Sequence, residues 1–333
     1  MPGDVYITFD VECSMGGAWG DPMLKPVSPA RAIWGEYGRR QLGLPLIVDI
    51  LKRHGLAATF FLTPFIAEQG YTDEAERICE FLIDCGQDVQ LHIHPNHWAY
   101  GLAQKNEPHR RTDYMSELSP QERLALLQEG SERLTHWTGR PCVAFRAGNM
   151  GASEETLVQV EEAGLLIDSS YTFPYAGGQC RFRPEDPYNG SKRYGGVIEL
   201  ALSGFLQGRV PWDAPAKPLD LTGISFPECR EAIRRICGAG ADAVVILHSF
   251  SPFKVRNVRY EGGRPNRVVI RRFQALCHWL SASGEFPVHT FDRLAAAVSA
   301  GEYTPHAVPP CRLNHPRALV RKAVQAWNRF YWT

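Results

Sequence analysis

The feature that most constrains this chain is an alternation. Short apolar runs lie near residues 5–9, 57–62, 89–91, 142–145, 165–167, 197–202, 243–247 and 288, and stretches of helical periodicity lie at 44–54, 72–85, 120–137, 153–163, 226–237, 268–282 and 291–300. Runs that are apolar throughout fit strands buried on both faces, and strands that alternate with helices pack in parallel through right-handed crossovers. Seven or eight such units predict an α/β domain, a distorted (β/α) barrel of about seven parallel strands, over residues 1–300, with 301–333 as a tail. A chain of 333 residues suits one such unit. Ser119-Pro120-Gln121-Glu122 reads as a capping box, and Ser153 before Glu154 and Glu155 starts the next helix. Two long stretches without periodicity, 13–41 and 171–192, are expected to wall a cleft.

Charge narrows the function classes. Lys and Arg together number 36, as do Asp and Glu, so no overall basic field points to nucleic acid. No run approaches the ~20 apolar residues of a membrane span. The first strand starts too early for an export leader before it, so a cytoplasmic protein is expected. Nine cysteines without a C-x-x-C pair suit reduced, buried thiols.

Chemistry gathers at strand ends. In Ile7-Thr8-Phe9-Asp10-Val11-Glu12 the two carboxylates are one residue apart, so both project from one face at the carboxyl end of the first strand. One can hold a metal while the other serves as a base. In Gln90-Leu91-His92-Ile93-His94-Pro95-Asn96-His97 three imidazoles fall at the end of the third strand. His92 and His94 share a face if the strand persists, whereas His97 lies in the loop beyond. Two histidines and a carboxylate with open positions form the donor set of a catalytic zinc-like ion.

Separated segments resemble, in order, the motifs of the polysaccharide deacetylases, carbohydrate esterase family 4, over residues 4–300. The resemblance implies that Asp10 is the base and Glu12 a metal ligand, with His92 the first metal histidine. Ala58-Thr59-Phe60-Phe61-Leu62 resembles the family's second strand. Phe145-Arg146-Ala147-Gly148-Asn149 implies that Arg146 orients the base and that the Asn149 N–H binds an oxyanion. Ile167-Asp168-Ser169-Ser170 implies that Asp168 supports the catalytic histidine, and Val245-Ile246-Leu247-His248-Ser249 implies Leu247 in the acyl-methyl pocket and His248 as general acid. The chain departs from the pattern twice. Glu12 stands where Asp is commoner, and Asn96 occupies the usual place of the second histidine, leaving His94, or His97 through an altered loop, to supply that ligand.

The expected activity is metal-dependent removal of an N-acetyl group from an amino-sugar derivative, an intracellular lipid- or nucleotide-linked precursor, with Zn²⁺ first and Co²⁺, Ni²⁺ or Mn²⁺ as alternatives. A deformylase or other small-amide hydrolase, and a catalytically silent glycan- or lipid-binding module, are the rival readings. Residues 316–333 contain no acid but carry Arg317, Arg321, Lys322 and Arg329. Wound as a helix, the tail places Leu319, Ala323, Ala326 and Phe330 on one stripe and Val320, Val324, Trp327 and Tyr331 on the next. Such a helix can lie on an anionic membrane or pack across the barrel bottom.

Overall fold

The computed structural model describes residues 2–21, 23–208, 214–313 and 315–330. Strand β1 (Val5–Val11) is buried along its whole length. Around it stand β2 (Thr59–Leu62), β3 (Asp88–Ile93), β4 (Ala144–Ala147), β5 (Ile167–Asp168), β6 (Asn189–Tyr194), β7 (Val197–Leu200) and β8 (Ala243–His248), in the ladder order β8-β1-β2-β3-β4-β5-β7-β6. All but β6 run parallel, seven strands in agreement with the expected number. Among the described residues the ladder runs from β8 to the short strand Ala307–Val308, paired to β6, and backbone hydrogen bonds also join β8 to Ser203 and Leu219. Val288–His289 adds a parallel pair to the base of β1.

Helices α1 (Leu44–Arg53), α2 (Thr72–Asp84), α3 (Pro95–Gln104), α4 (Pro120–Thr138), α5 (Glu154–Glu162), α6 (Phe226–Gly238), α7 (Arg267–Ser283) and α8 (Phe291–Ser299) accompany the strands. The box at Ser119 forms, its Oγ accepting from the Glu122 N–H and Glu122 accepting in return from the Ser119 N–H. Helix α3 and strand β6 are among the elements that fall outside the sequence reading. Helix α3 lacks a strong apolar stripe and starts on a proline directly after His94. Strand β6 folds back antiparallel on β7 from the end of a stretch expected to be loop.

Alternation along β1 decides what the curl encloses. Phe9 turns outward, stacked on Phe60 with centroids 4.9 Å apart and edge-on to Phe273 of α7 at 5.5 Å. Thr8 and Asp10 turn the other way and are buried inside the sheet's curl. The register sets Asp10 beside His248 and His92 beside Arg146, so four polar residues reach one end of the barrel.

The tail does not pack across the barrel bottom. Cys311–Leu313 pairs with Gly204–Gln207, and α9 (His315–Phe330) then lies at the amino ends of α6 and α7, the end at which β8 finishes. Arg321 fastens it. Its guanidinium donates to Glu228 Oε1 at 2.7 Å and to Gln207 Oε1 at 2.6 Å, with both charges buried. Gln325 donates to the Gly223 carbonyl at 2.9 Å.

Candidate active site

A cavity of about 180 Å³ opens where β1, β3 and β8 end; its polar lining includes Asp10, Glu12, His92, His94, Asn149 and His248, together with Asp220 and Gln179. Each carboxylate of β1 meets a different partner. Asp10 Oδ1 accepts from Arg146 Nη1 at 2.8 Å, and its Oδ2 stands 4.0 Å from His92 Nε2. Glu12 Oε2 lies 3.2 Å from His92 Nε2 and makes a shorter contact to His94 Nε2.

The two imidazoles are aimed from behind. His92 Nδ1 donates to the Arg146 carbonyl at 2.9 Å, and His94 Nδ1 donates to Asp113 Oδ1 at 2.9 Å. Both Nε2 atoms are thereby turned toward Glu12, the outer-shell arrangement that fixes a ligating tautomer. One donor atom from each of Glu12, His92 and His94 falls within 4.8 Å of the others, so the set fits a divalent ion. Burial opposes charge on Glu12, but His94 and the hydrogen bonds from both histidines outweigh it and hold the carboxyl well below its ordinary range. Burial likewise opposes charge on His94, and Glu12 and Asp113 on its two sides outweigh it, raising this imidazole well above the ordinary value. A metal therefore competes with a proton on His94.

Arg146 joins base and ligand. It is fully buried; Nη1 also donates to Thr8 Oγ1 at 2.9 Å, Nε to the Ser169 carbonyl at 3.1 Å and Nη2 to Ser169 Oγ at 3.1 Å, and its guanidinium carbon lies 4.1 Å from the Phe61 ring centroid. Its side chain thus holds Asp10 while its main chain holds His92. Directly after β4, Asn149 adopts a left-handed φ of 54° and its Nδ2 donates to Asp113 Oδ2 at 2.6 Å.

Several expected residues stand elsewhere. Leu247 does not line the cavity: it lies in the strand register beside Phe9 and shares the outward face, whereas Ile246 and His248 face inward, and Leu202 and Ile246 supply the apolar wall. Asp168 does not meet His248. Strand β5 sits beside β7, and the register pairs Asp168 with Glu199. Asp168 accepts from the Ser170 N–H at 2.9 Å and Ser170 Oγ at 2.8 Å. Burial, reinforced by the charge on Asp168, pushes Glu199 well above its ordinary value, and burial pushes Asp168 up as well. His248 instead stacks on Phe250 with centroids 4.9 Å apart. His97 is not among the three converging donors; it lies in α3, stacked on His94 at 5.5 Å, and burial with the neighbouring His94 drives it down to about 3.

Asp113 and Glu199 escape a sequence reading. Neither sits in a spacing pattern with its partner, since 19 residues separate Asp113 from His94 and Glu199 meets Asp168 only through strand pairing. Gly148 does have a legible cause once the fold is known. A Cβ there would come within 2.5 Å of His94 Nδ1 and 2.6 Å of its Cγ. Gly148→Ala is expected to push the His94 ring off Glu12 and lower Zn²⁺ affinity by about 10- to 100-fold, read by titration against a chromophoric chelator. Unchanged affinity would show that the ring is not confined by this contact.

No protein-family model and no curated protein matches the chain. Solved structures do. A Mycobacterium smegmatis protein assigned as a polysaccharide deacetylase is similar over 93% of this chain and 94% of its own, at 19% identity and a TM-score of 0.54. A family 4 carbohydrate esterase from Streptomyces lividans, solved with acetate, is similar over 86% of this chain and 91% of its own, at 13% identity and a TM-score of 0.42. A pseudoenzyme of the same family from Bacillus anthracis is similar over 88% and 66%, at 14% identity and 0.43. The first of these similarities, which spans nearly the whole of both chains, agrees with the motif order read from the sequence: the chain has the polysaccharide-deacetylase fold.

Proposed function

We propose that this protein is a metal-dependent hydrolase that removes a small N-acyl group, N-acetyl in the first place, from an amino-sugar derivative. The observation that carries this reading is the division of labour at the end of β1. Asp10 is held by a buried cation, while Glu12 two residues later joins two histidines in a donor set. A binding module has no need of both.

Glu12, His92 and His94 would hold the ion, Zn²⁺ in the first place. When bound, it supplies Lewis acidity toward the acyl carbonyl and a water. Asp10 takes the proton of the attacking water, with Arg146 fixing its orientation. The Asn149 N–H, presented by the left-handed turn after β4, donates to the developing oxyanion. His248, beside Asp10 in the register but on the neighbouring strand, gives a proton to the departing nitrogen. Leu202 and Ile246 receive the acyl methyl. Asp168 accepts from the N–H and Oγ of Ser170, next in the chain to the Ser169 that holds Arg146, and acts on the reaction only through that arginine. A cavity of about 180 Å³ supports a small precursor, lipid- or nucleotide-linked, over a polymer lying in a groove. Nine free cysteines support a reducing, cytoplasmic setting.

Chelation is expected to abolish release of acetate from N-acetylated amino sugars, and Zn²⁺ or Co²⁺ to restore it, followed by a coupled acetate assay. A protein that binds no metal by elemental analysis and cleaves no member of an N-acyl amino-sugar panel would overturn the proposal.

A further inference from the structure

Large apolar side chains that stand exposed among the described residues are distributed unevenly. Met23, Tyr175 and Val258 lie on the segments that follow β1, β5 and β8, all at the catalytic end. Leu319, Val320, Val324 and Trp327 lie on α9; Val158, on α5, is the exception. No described helix is long and apolar enough to cross a membrane. Exposure on α9 does not follow from loose packing, because the adjoining stripe of the helix is fastened through Arg321, Gln325 and the buried Ala318. Val320 and Trp327, at 64% exposure each, and Val324 form one wall of an apolar groove whose other wall is Phe226, Pro227 and Val268 at the starts of α6 and α7.

The charged side chains that line this groove are basic. Arg271 lines it, and Lys322 follows Arg321 on the helix. Helix α9 carries no acid, and the segment 251–267 after His248 carries Lys254, Arg256, Arg259, Arg264 and Arg267 against Glu261 alone. Glu228, one turn into α6 behind the groove wall, is buried and neutralised by Arg321. A second copy of the chain seated on this face would bring like charges together. An anionic bilayer offers apolar depth with opposite charge above it, which matches an apolar helix face rimmed by Arg and Lys.

We infer that the exposed face of α9, with the basic 251–267 segment beside it, docks on an anionic lipid surface and brings the mouth of the cavity to the bilayer interface. The substrate is then an acylamino sugar carried on a membrane lipid. The docking surface stands on its own observations, and the substrate assignment rests also on the hydrolase reading above.

Flotation of the full chain with phosphatidylcholine vesicles, with and without phosphatidylglycerol, tests the surface. Binding is expected only with phosphatidylglycerol, to weaken with added salt, and to fall at least about tenfold in Val320→Asp/Trp327→Asp and in Arg271→Glu. Hydrolysis of a water-soluble N-acetyl amino sugar is expected to be the same in these variants as in the native chain, which also shows that they fold. No flotation with phosphatidylglycerol, or flotation indifferent to all three substitutions, overturns the inference. So does a dimer in sedimentation that the same substitutions dissolve while the native chain ignores vesicles. Vesicle binding without hydrolysis of any amino sugar would leave the surface in place and remove the substrate assignment together with the hydrolase reading.

Discussion

Asp10→Asn is expected to reduce kcat/KM for an N-acetyl amino sugar by about 10²- to 10⁴-fold, with the bound metal unchanged by elemental analysis. The substitution keeps the size of the side chain and leaves an oxygen to accept from Arg146 Nη1, now 2.8 Å away, so the fold and the ligand histidines are spared. What it removes is a carboxylate able to take a proton. Because Asp10 Oδ2 is 4.0 Å from His92 Nε2 and Asp10 is outside the three converging donors, loss of activity with retained metal separates the base from the ligands. Retention of more than about a tenth of the native rate, still far above the loss expected of a general base, would remove Asp10 from that role.

Arg146→Ala is expected to destabilise the protein by about 3–5 kcal/mol and to abolish turnover. A fully buried guanidinium is replaced by nothing, leaving a buried Asp10 carboxylate without its countercharge and Ser169 and Thr8 without a donor. Arg146→Lys is expected to recover only part of the loss, because one ammonium cannot span Asp10 and the Ser169 carbonyl as the planar fork does. Urea denaturation of the three proteins gives the stability and kcat the turnover. A loss below about 1 kcal/mol in Arg146→Ala, the range of an exposed pair, would mean that water or another cation replaces it.

Much of this architecture was legible because its causes are local. Apolar runs and helical periods placed the seven parallel strands, and Ser119 with Glu122 placed the start of α4, since strand burial and helix capping act within a few residues. The convergence of Glu12, His92 and His94 follows the same logic. Strand alternation orients side chains two apart, and β1 and β3 end at the same side of a parallel sheet. Strand β3 in fact stops at Ile93, yet His94 keeps an extended backbone, φ −101° and ψ 106°, so the alternation survives the start of α3.

Elsewhere the motif order was a poor guide to contacts. Leu247 carries the expected motif position, but its neighbours in the register turn it outward, and Ile246 and Leu202 take its place. Asp168 directly follows the expected strand, but a carboxylate between β4 and β7 finds Glu199 and Ser170 before it can find a histidine on β8. Asp113 comes to His94 from a segment whose composition carries no such signal.

By itself, then, the amino-acid order determined the parallel strands of the barrel, most of its helices and which side chains share a face at the strand ends, because those follow from short-range periodicity and from the parallel direction of the strands. Only the tertiary structure decided the partners of those side chains. It set Asp113 behind His94, Glu199 against Asp168, and Arg321 in the buried pair that holds α9 at the catalytic end. Charge pairing across long separations depends on how the sheet curls and where the helices seat, and that is set by the packing of the whole core.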